Sequence, residues 1–210
     1  MITEIYDKTP KLATIFKNAR IVGLAGNKNT GKTNNICQIL KEYVSIGNTT
    51  PIYVYGIPKE VMTELNKYGI KEISSLNQLI GKKNCIIILD EFQKLKLNDR
   101  RYKDELNELV DFIYHNGVYL LLSSPNIREF NSVIGGVIEK WILKSVRIDQ
   151  TVRGSQLKKA IESYKGRHKS LGSIFTEKNE LLILNDDYEQ VINVEYYPEV
   201  DHKTKIKELF

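Results

Sequence analysis

The chain has 210 residues, of which 41% are hydrophobic and 27% are charged. This length suits one substantial domain with a real apolar core. No run reaches the roughly 20 apolar residues of a membrane-spanning helix, and the N-terminus lacks the regions of a signal peptide. The two cysteines, Cys37 and Cys85, lack metal-ligand spacing, which predicts free thiols in a reducing compartment. We therefore expect a cytoplasmic protein without an integral membrane segment.

The net charge of +5 is modest, but it is unevenly distributed. Residues 140–169 include nine Lys or Arg and two acidic residues, so this segment carries +7 and the rest of the chain about −2. Concentrated positive charge is typical of surfaces that bind polyanions, although a solvated face balanced elsewhere in the fold is the alternative. The first interpretation makes four residues candidates for contact with nucleic acid, namely Lys158, Lys159, Lys165 and Arg167.

The spacing of apolar residues predicts helices that alternate with strands. In chain order we predict a helix over 9–18, a strand over 21–25, a helix over 34–44, a strand over 51–56, a helix from 58, a short strand over 70–73, a helical turn over 75–80, a strand over 85–89, a helix over 102–115, a strand over 118–122, a strand over 141–143, a basic helix over 152–164, a hairpin over 173–184 and a last strand over 191–194. This alternation predicts an α/β fold with a mostly parallel sheet and helices on both faces. The pattern changes after Asp149, so we expect a core over residues 1–150 and an extension over residues 151–210 that packs on it.

The first motif, residues 26–33, reads G-x-x-x-x-G-K-T between a predicted strand and a predicted helix. In this context the pattern predicts a phosphate-binding loop, because backbone N–H groups and a helix N-terminus converge on the phosphates. Lys32 is expected to reach the β- and γ-phosphates, and the Thr33 hydroxyl to ligand Mg²⁺. The alternative is a chance match in a loop. The candidate nucleotide-binding residues are Gly26, Asn27, Lys28, Asn29, Thr30, Gly31, Lys32, Thr33 and Asn34.

The second motif is the apolar run 86–89 followed by Asp90 and Glu91, which resembles a Walker B motif. A parallel strand would deliver Asp90 to the carboxyl edge of the sheet, beside the phosphate-binding loop. There Asp90 is expected to hold Mg²⁺, directly or through water. Glu91 is the candidate that polarises the attacking water, since a proton acceptor is needed close to the metal. The alternative is that Glu91 only caps the strand end or forms a salt bridge.

The strand over 118–122 is followed by Ser123-Ser124-Pro125-Asn126. In P-loop proteins with an extra strand between the two Walker strands, a polar residue at this tip senses the γ-phosphate. Ser124 and Asn126 are the candidates, and an ordinary turn is the alternative. An arginine that neutralises the γ-phosphate in the transition state is also expected, often from a neighbouring subunit. The candidates are Arg100, Arg101 and Arg128, and each has a surface or DNA-contact role as its alternative.

Together, residues 26–33, 89–93 and 115–126 resemble the additional-strand P-loop ATPases, and more narrowly the FtsK/HerA group of DNA-translocating ATPases. That group includes genome-packaging ATPases of membrane-containing viruses and the Zot-like proteins of filamentous phages. The resemblance covers roughly residues 20–150. It implies a RecA-like sheet, Mg²⁺-dependent ATP hydrolysis, a ring of about five or six subunits, double-stranded DNA as the moved polymer and a capsid or membrane partner. For a viral protein it implies the host cytoplasm or the virion.

Two features depart from that group. Residues 114–116 read Tyr-His-Asn where relatives often have an arginine, and the sensor position offers Ser or Asn where many relatives have Gln. We expect a DNA-translocating or DNA-packaging ATPase, and the alternative is an ATP-gated assembly protein of the Zot-like kind. A thymidine kinase is disfavoured because its late four-cysteine zinc lobe is missing. GTP is disfavoured because no Asn-Lys-x-Asp motif follows the loop. A helicase loader of the AAA+ class would need a helical lid where residues 172–195 predict strands.

Overall fold

The computed structural model describes residues 14–95, 103–125, 127–130, 132–147, 173–174, 180–184, 189–202 and 206–209. The strands are β1 (Ile21–Gly26), β2 (Ile52–Tyr55), β3 (Lys71–Glu72), β4 (Ile86–Leu89), β5 (Tyr119–Ser124), β6 (Lys140–Lys144), β7 (Val146–Arg147), β8 (Ser173–Ile174), β9 (Glu180–Leu184) and β10 (Glu189–Asn193). The helices are α1 (Lys32–Ser45), α2 (Lys59–Leu65), α3 (Lys103–His115), α4 (Ser132–Val137) and α5 (Pro198–His202). Short 3₁₀ turns occur at Asn66–Tyr68, Leu76–Leu79, Phe92–Leu95, Ile127–Glu129 and Ile206–Glu208.

Eight of these strands form one sheet in the order β10-β9-β6-β1-β5-β4-β2-β3. The six strands from β6 to β3 are parallel, β9 pairs with β6 in antiparallel orientation, and β10 pairs with β9 in antiparallel orientation. Strand β5 lies between β1 and β4, which is the position of the extra strand that the sequence predicts. Because all the parallel strands end at one edge, the polar residues that follow β1, β4 and β5 meet there.

Helices cover both faces of the sheet, which explains why the central strands are apolar throughout rather than alternating. One face packs against α1, α2 and the C-terminal residues, through side chains such as Ile36, Ile39 and Val61. The opposite face packs against α3 and α4 and includes the contacting rings of Phe130 and Trp141. Alternate residues of each strand therefore belong to different faces. We call the first of these the α1 face.

Two buried lysines lie in β6, although both count toward the basic segment over residues 140–169. Lys140 is 3% exposed, and its Nζ donates hydrogen bonds to the carbonyl oxygens of Ile15 at 2.8 Å and Lys17 at 2.7 Å. Lys144 is fully buried at the end of the same strand. The charges of these two lysines are inside the fold, so they do not belong to an exposed basic surface.

The predicted hairpin over residues 173–184 is wrong. Strand β8 pairs with β7 in a separate two-stranded sheet, whereas β9 pairs with β10 and with β6. The apolar residues Leu181–Leu184 of β9 are buried on both faces of the strand, because β9 continues the main sheet. The hairpin of this region is therefore β9–β10.

Two other predicted elements lie outside the described residues either entirely or for half of their length. The predicted basic helix lies entirely outside them, and the predicted helix over 9–18 does so up to residue 13. Residues 14–18 form a turn in which Ile15 and Phe16 are buried. In the part of the chain that is described, no helix has the length and apolar character needed to cross a bilayer.

Candidate nucleotide-binding site

The predicted phosphate-binding loop connects the end of β1 to the start of α1, as the motif requires. Gly31 has a φ of 86°, in the left-handed region where glycine carries no steric cost. Gly26 is held against β6, and a Cβ there would lie 2.2 Å from the Lys144 carbonyl oxygen, so a side chain does not fit. The Asn27 N–H donates to the Ser145 carbonyl oxygen at 3.3 Å. The loop is therefore anchored to β6 at its base.

Lys32 is buried at the first position of α1, with 7% of its surface exposed. Its Nζ donates to the Asn27 carbonyl oxygen at 2.8 Å, and the Thr30 hydroxyl donates to the same oxygen at 2.9 Å. Burial lowers the pKa of Lys32, and the negative charges of Asp90 and Glu91 oppose that effect. A phosphate oxygen would be a charged and hence stronger acceptor than this carbonyl. The lysine is thus placed to exchange a backbone partner for a phosphate.

Asp90 joins three elements of the sheet edge. Its Oδ2 accepts a hydrogen bond from the Thr33 hydroxyl at 2.6 Å. Its Oδ1 accepts from the Ser123 hydroxyl at 2.6 Å and from the Glu91 N–H at 3.0 Å. Asp90 is 2% exposed, and burial raises its pKa, whereas the hydrogen bonds from Ser123 and Thr33 act in the opposite direction.

The Thr33–Asp90 pair fits Mg²⁺. A hydroxyl and a carboxylate are the hard oxygen ligands that this cation prefers, and Mg²⁺ is usually held by one or two protein oxygens together with phosphates and water. The two oxygens are already within hydrogen-bond distance at the first turn of α1. A carboxylate that is desolvated by the fold also gains from a cation as its partner.

Glu91 adopts a left-handed backbone conformation, with a φ of 49°. This region is uncommon for residues other than glycine, and such outliers cluster at functional sites. The Glu91 carboxylate forms an ion pair with Lys94 in the 3₁₀ turn that follows, and this hydrogen bond raises the pKa of Lys94. The ion pair involves Oε2, and because a carboxylate has two oxygens, Glu91 could accept a proton from an attacking water while it remains paired with Lys94.

Ser123 is a site residue that the sequence prediction misses, since its candidates at this strand tip are Ser124 and Asn126. Strand alternation would have identified it. Leu121 belongs to the α1 face, so Ser123, two residues later, lies on the same face as Asp90. Ser124 is fully buried, and alternation assigns it to the opposite face.

The remaining predicted site residues are not brought together by the described part of the structure. The backbone of Arg128 lies in the 3₁₀ turn Ile127–Glu129, after β5. Seven others lie outside the described residues, namely Arg100, Arg101, Asn126, Lys158, Lys159, Lys165 and Arg167.

No family model and no curated protein sequence matches the chain. Several solved structures do resemble it. The DNA-packaging ATPase B204 of Sulfolobus turreted icosahedral virus superposes with a TM-score of 0.61 at 12% identity, over 84% of this chain and 98% of that chain. The genome-packaging NTPase B204 of Sulfolobus turreted icosahedral virus 2, in complex with AMPPCP, gives 0.53 at 14% identity, over 85% and 98%. ATPases 2 and 3 of EssC from Geobacillus thermodenitrificans give 0.52 at 10% identity, over 90% and 43%.

These identities are low, so the likeness concerns the fold. It confirms the predicted α/β fold of RecA-like P-loop type, with its mostly parallel sheet and helices on both faces. The predicted resemblance to viral genome-packaging ATPases is confirmed at the same level. The chain has the fold of a P-loop ATPase.

Proposed function

We propose that this protein is a Mg²⁺-dependent ATPase of the FtsK/HerA kind that uses hydrolysis to move or package double-stranded DNA. The observation that carries the proposal is the Thr33–Asp90–Ser123 cluster at the N-terminus of α1. In this cluster a hydroxyl and a carboxylate suited to Mg²⁺ are hydrogen-bonded to each other, and the hydroxyl belongs to Thr33, which follows Lys32 in the chain. The fold shared with genome-packaging ATPases supports the DNA part of the proposal.

Each residue of the site then has a separate task. Backbone N–H groups of residues 26–34 bind the phosphates, and Lys32 neutralises the β- and γ-oxygens. Thr33 and Asp90 would hold Mg²⁺, which supplies charge neutralisation on the transferred phosphoryl group. Ser123 fixes the Asp90 carboxylate through a buried hydrogen bond. Glu91 orients the attacking water and accepts its proton.

The proposal extends to assembly and location. The protein would form a ring of about five or six subunits, as closed cyclic symmetry permits. An arginine, Arg128 among the candidates, would act on the γ-phosphate of a neighbouring subunit, and Asn126 would sense that phosphate. Lys158, Lys159, Lys165 and Arg167, in the extension after residue 150, would contact the DNA backbone. The protein would work in the cytoplasm, or in the host cytoplasm or virion for a virus, with a capsid or membrane partner.

The test is the rate of ATP hydrolysis at low salt, with and without duplex DNA and with and without Mg²⁺. We expect hydrolysis to be lost in EDTA and stimulated by DNA. Since phosphate contacts dominate DNA affinity, the stimulation should decline steeply as salt increases. A hydrolysis rate that duplex DNA leaves unchanged at low salt would refute the proposal that the protein moves DNA. It would favour an ATP-gated assembly protein. The Glu91–Lys94 ion pair is the observation that fits that second function, because it engages the candidate water-orienting carboxylate.

A further inference from the structure

The C-terminal segment, which we define as residues 194–202 with 206–209, packs directly on the α1 face. Its apolar side chains Val200, Ile206 and Leu209 are buried in the same core as Ile36 and Leu40 of α1. The segment therefore contacts the helix whose first turn forms the candidate phosphate site.

The contact closest to that first turn is polar. The Asn34 Nδ2 donates to the Tyr197 carbonyl oxygen at 2.6 Å, and its Oδ1 accepts from the Tyr197 N–H at 2.8 Å. One side-chain amide thus pairs with both backbone groups of a single residue. Asn34 is 1% exposed and follows Thr33 directly in the chain. We call this pair of hydrogen bonds the Asn34 clasp.

The clasp changes how Asn34 relates to the nucleotide. The sequence makes Asn34 a candidate nucleotide-binding residue, and its backbone N–H belongs to the first turn of α1, where N–H groups lack acceptors within the helix. Its side chain, however, is committed to Tyr197. Asn34 therefore connects the phosphate-binding turn, to which its backbone belongs, with the C-terminal segment, to which its side-chain amide is hydrogen-bonded.

We propose that Asn34 is a positioning residue that couples nucleotide binding to the docking of the C-terminal segment. This inference rests on the proposed function only in requiring that the loop binds a nucleoside triphosphate. A nucleotide that orders the first turn of α1 fixes the Asn34 amide and strengthens the clasp. By thermodynamic linkage the docked segment raises nucleotide affinity by the same factor.

A second contact of the same segment provides a matched control. The Lys41 Nζ lies 4.8 Å from the centroid of the Tyr197 ring. Lys41 is on the same helix but seven residues further along, about 10 Å from Asn34 at the helical rise per residue. Lys41→Ala therefore loosens the same segment without touching the phosphate-binding turn.

The experiment compares the wild type with Asn34→Ala, Asn34→Gln and Lys41→Ala. Asn34→Gln retains both polar groups on a longer side chain, which misplaces them relative to Tyr197 while favouring a helix. Hydrogen–deuterium exchange over residues 194–202 is measured with and without ATPγS and Mg²⁺. Exchange reports on the clasp directly, because the Tyr197 N–H is the donor of one of its two hydrogen bonds. The affinity for a fluorescent ATP analogue, KM and kcat are measured in parallel, and thermal melts identify variants that remain folded.

We expect ATPγS to slow exchange over residues 194–202 in the wild type and in Lys41→Ala. In Asn34→Ala and Asn34→Gln this protection should be lost, and KM should rise about tenfold with kcat changed by less than about threefold, because buried hydrogen bonds are lost away from the reacting atoms. Wild-type affinity and protection in both Asn34 variants would overturn the inference. An equal loss in Lys41→Ala would also overturn it, because the coupling would then depend on docking of the segment as a whole and not on Asn34.

The two proposals fail in different ways. A wild type that binds ATPγS and protects residues 194–202 but does not hydrolyse ATP would refute the proposed function and support the clasp. A wild type that hydrolyses ATP normally, without any change in exchange over residues 194–202, would overturn the clasp alone.

Discussion

Asp90→Asn should make the metal-free protein more stable at neutral pH while abolishing hydrolysis. The Asp90 carboxylate is 2% exposed, and burial is the largest influence on its pKa, which it raises. Asparagine has nearly the same shape and keeps the acceptor for Ser123 and for the Glu91 N–H. The Thr33 hydroxyl can rotate to accept from the new amide, since a hydroxyl both donates and accepts. The substitution thus removes a desolvated charge and retains the hydrogen bonds.

The sign of the effect follows from linkage. Because the folded pKa of Asp90 lies above its ordinary value of 3.8, the folded protein binds the proton more tightly than the unfolded chain. The free energy of unfolding therefore decreases as pH rises from about 3.8 through the folded pKa, and remains lower above it. The advantage of Asp90→Asn should accordingly be present at neutral pH and disappear at acidic pH, where the wild-type carboxyl is itself neutral.

The size of the effect follows from the cost of a buried charge. Burying a single ionised group costs several kcal/mol even after the protein relaxes around it. Ser123 and Thr33 offset part of that cost through hydrogen bonds to the carboxylate, so for Asp90→Asn we expect a gain of about 1–3 kcal/mol at neutral pH. For a chain of this size, each kcal/mol raises Tm by about 2–4 °C.

The assay is urea and thermal unfolding in EDTA across a pH series from 8 to 4. Asp111→Asn, which changes an exposed carboxylate on α3, is the control and should leave stability nearly unchanged. Addition of Mg²⁺ and ATPγS should stabilise the wild type through ligand binding and reverse the ranking. Metal-free Asp90→Asn that is less stable than the wild type at pH 7, or a gain that is constant over the pH series, would show that desolvation of this carboxylate is not the dominant cost.

Three further variants test the other parts of the proposal. Glu91→Gln should retain ATP affinity in a fluorescence titration but slow hydrolysis by about a hundredfold or more, since the proton acceptor is lost; turnover within threefold of the wild type would remove Glu91 from that role. Ser123→Ala should reduce stability by about 1.5–3 kcal/mol in urea unfolding at pH 7, because a hydrogen bond to a buried charge is lost, and should weaken Mg²⁺-dependent activation. Lys158→Glu combined with Lys159→Glu should weaken duplex DNA binding in a salt-dependent manner, as measured by anisotropy, while leaving the basal rate of hydrolysis unchanged. A fall in the basal rate would assign these lysines to the nucleotide site or to folding.

The local parts of the site were predictable from the sequence. The loop over residues 26–33 is defined by spacing alone, and the apolar runs on either side fix β1 and α1. Asp90 follows a continuous apolar strand, so its place at the carboxyl edge depends only on the sheet being parallel. Neither the position of the loop nor that of Asp90 requires knowing which strands pair with each other.

What the sequence left open depends on pairing between distant segments. Ser123 rather than Ser124 meets Asp90 because β4 and β5 are neighbours in register, with Leu89 opposite Leu122. A shift of that register by one residue would exchange the two serines. The sequence shows that successive residues of a strand alternate between the two faces of the sheet. It does not show which set of residues lies on the α1 face. The pairing of β9 with β6 likewise joins residues about forty positions apart, beyond the reach of local pattern.

Helix α1 links these observations. Successive residues of a helix point about 100° apart, so adjacent side chains in its first turn reach different elements. Thr33 donates to Asp90 at the end of β4, whereas Asn34 pairs with Tyr197 of the C-terminal segment. A nucleotide bound at this turn would act on both contacts together, because Thr33 and Asn34 are adjacent residues of one helical turn. Movement of the turn would leave buried hydrogen bonds of Asn34 unmade unless the segment moved with it, and unmade buried bonds are costly. We therefore expect docking of the C-terminal segment to depend on whether the phosphate site is occupied.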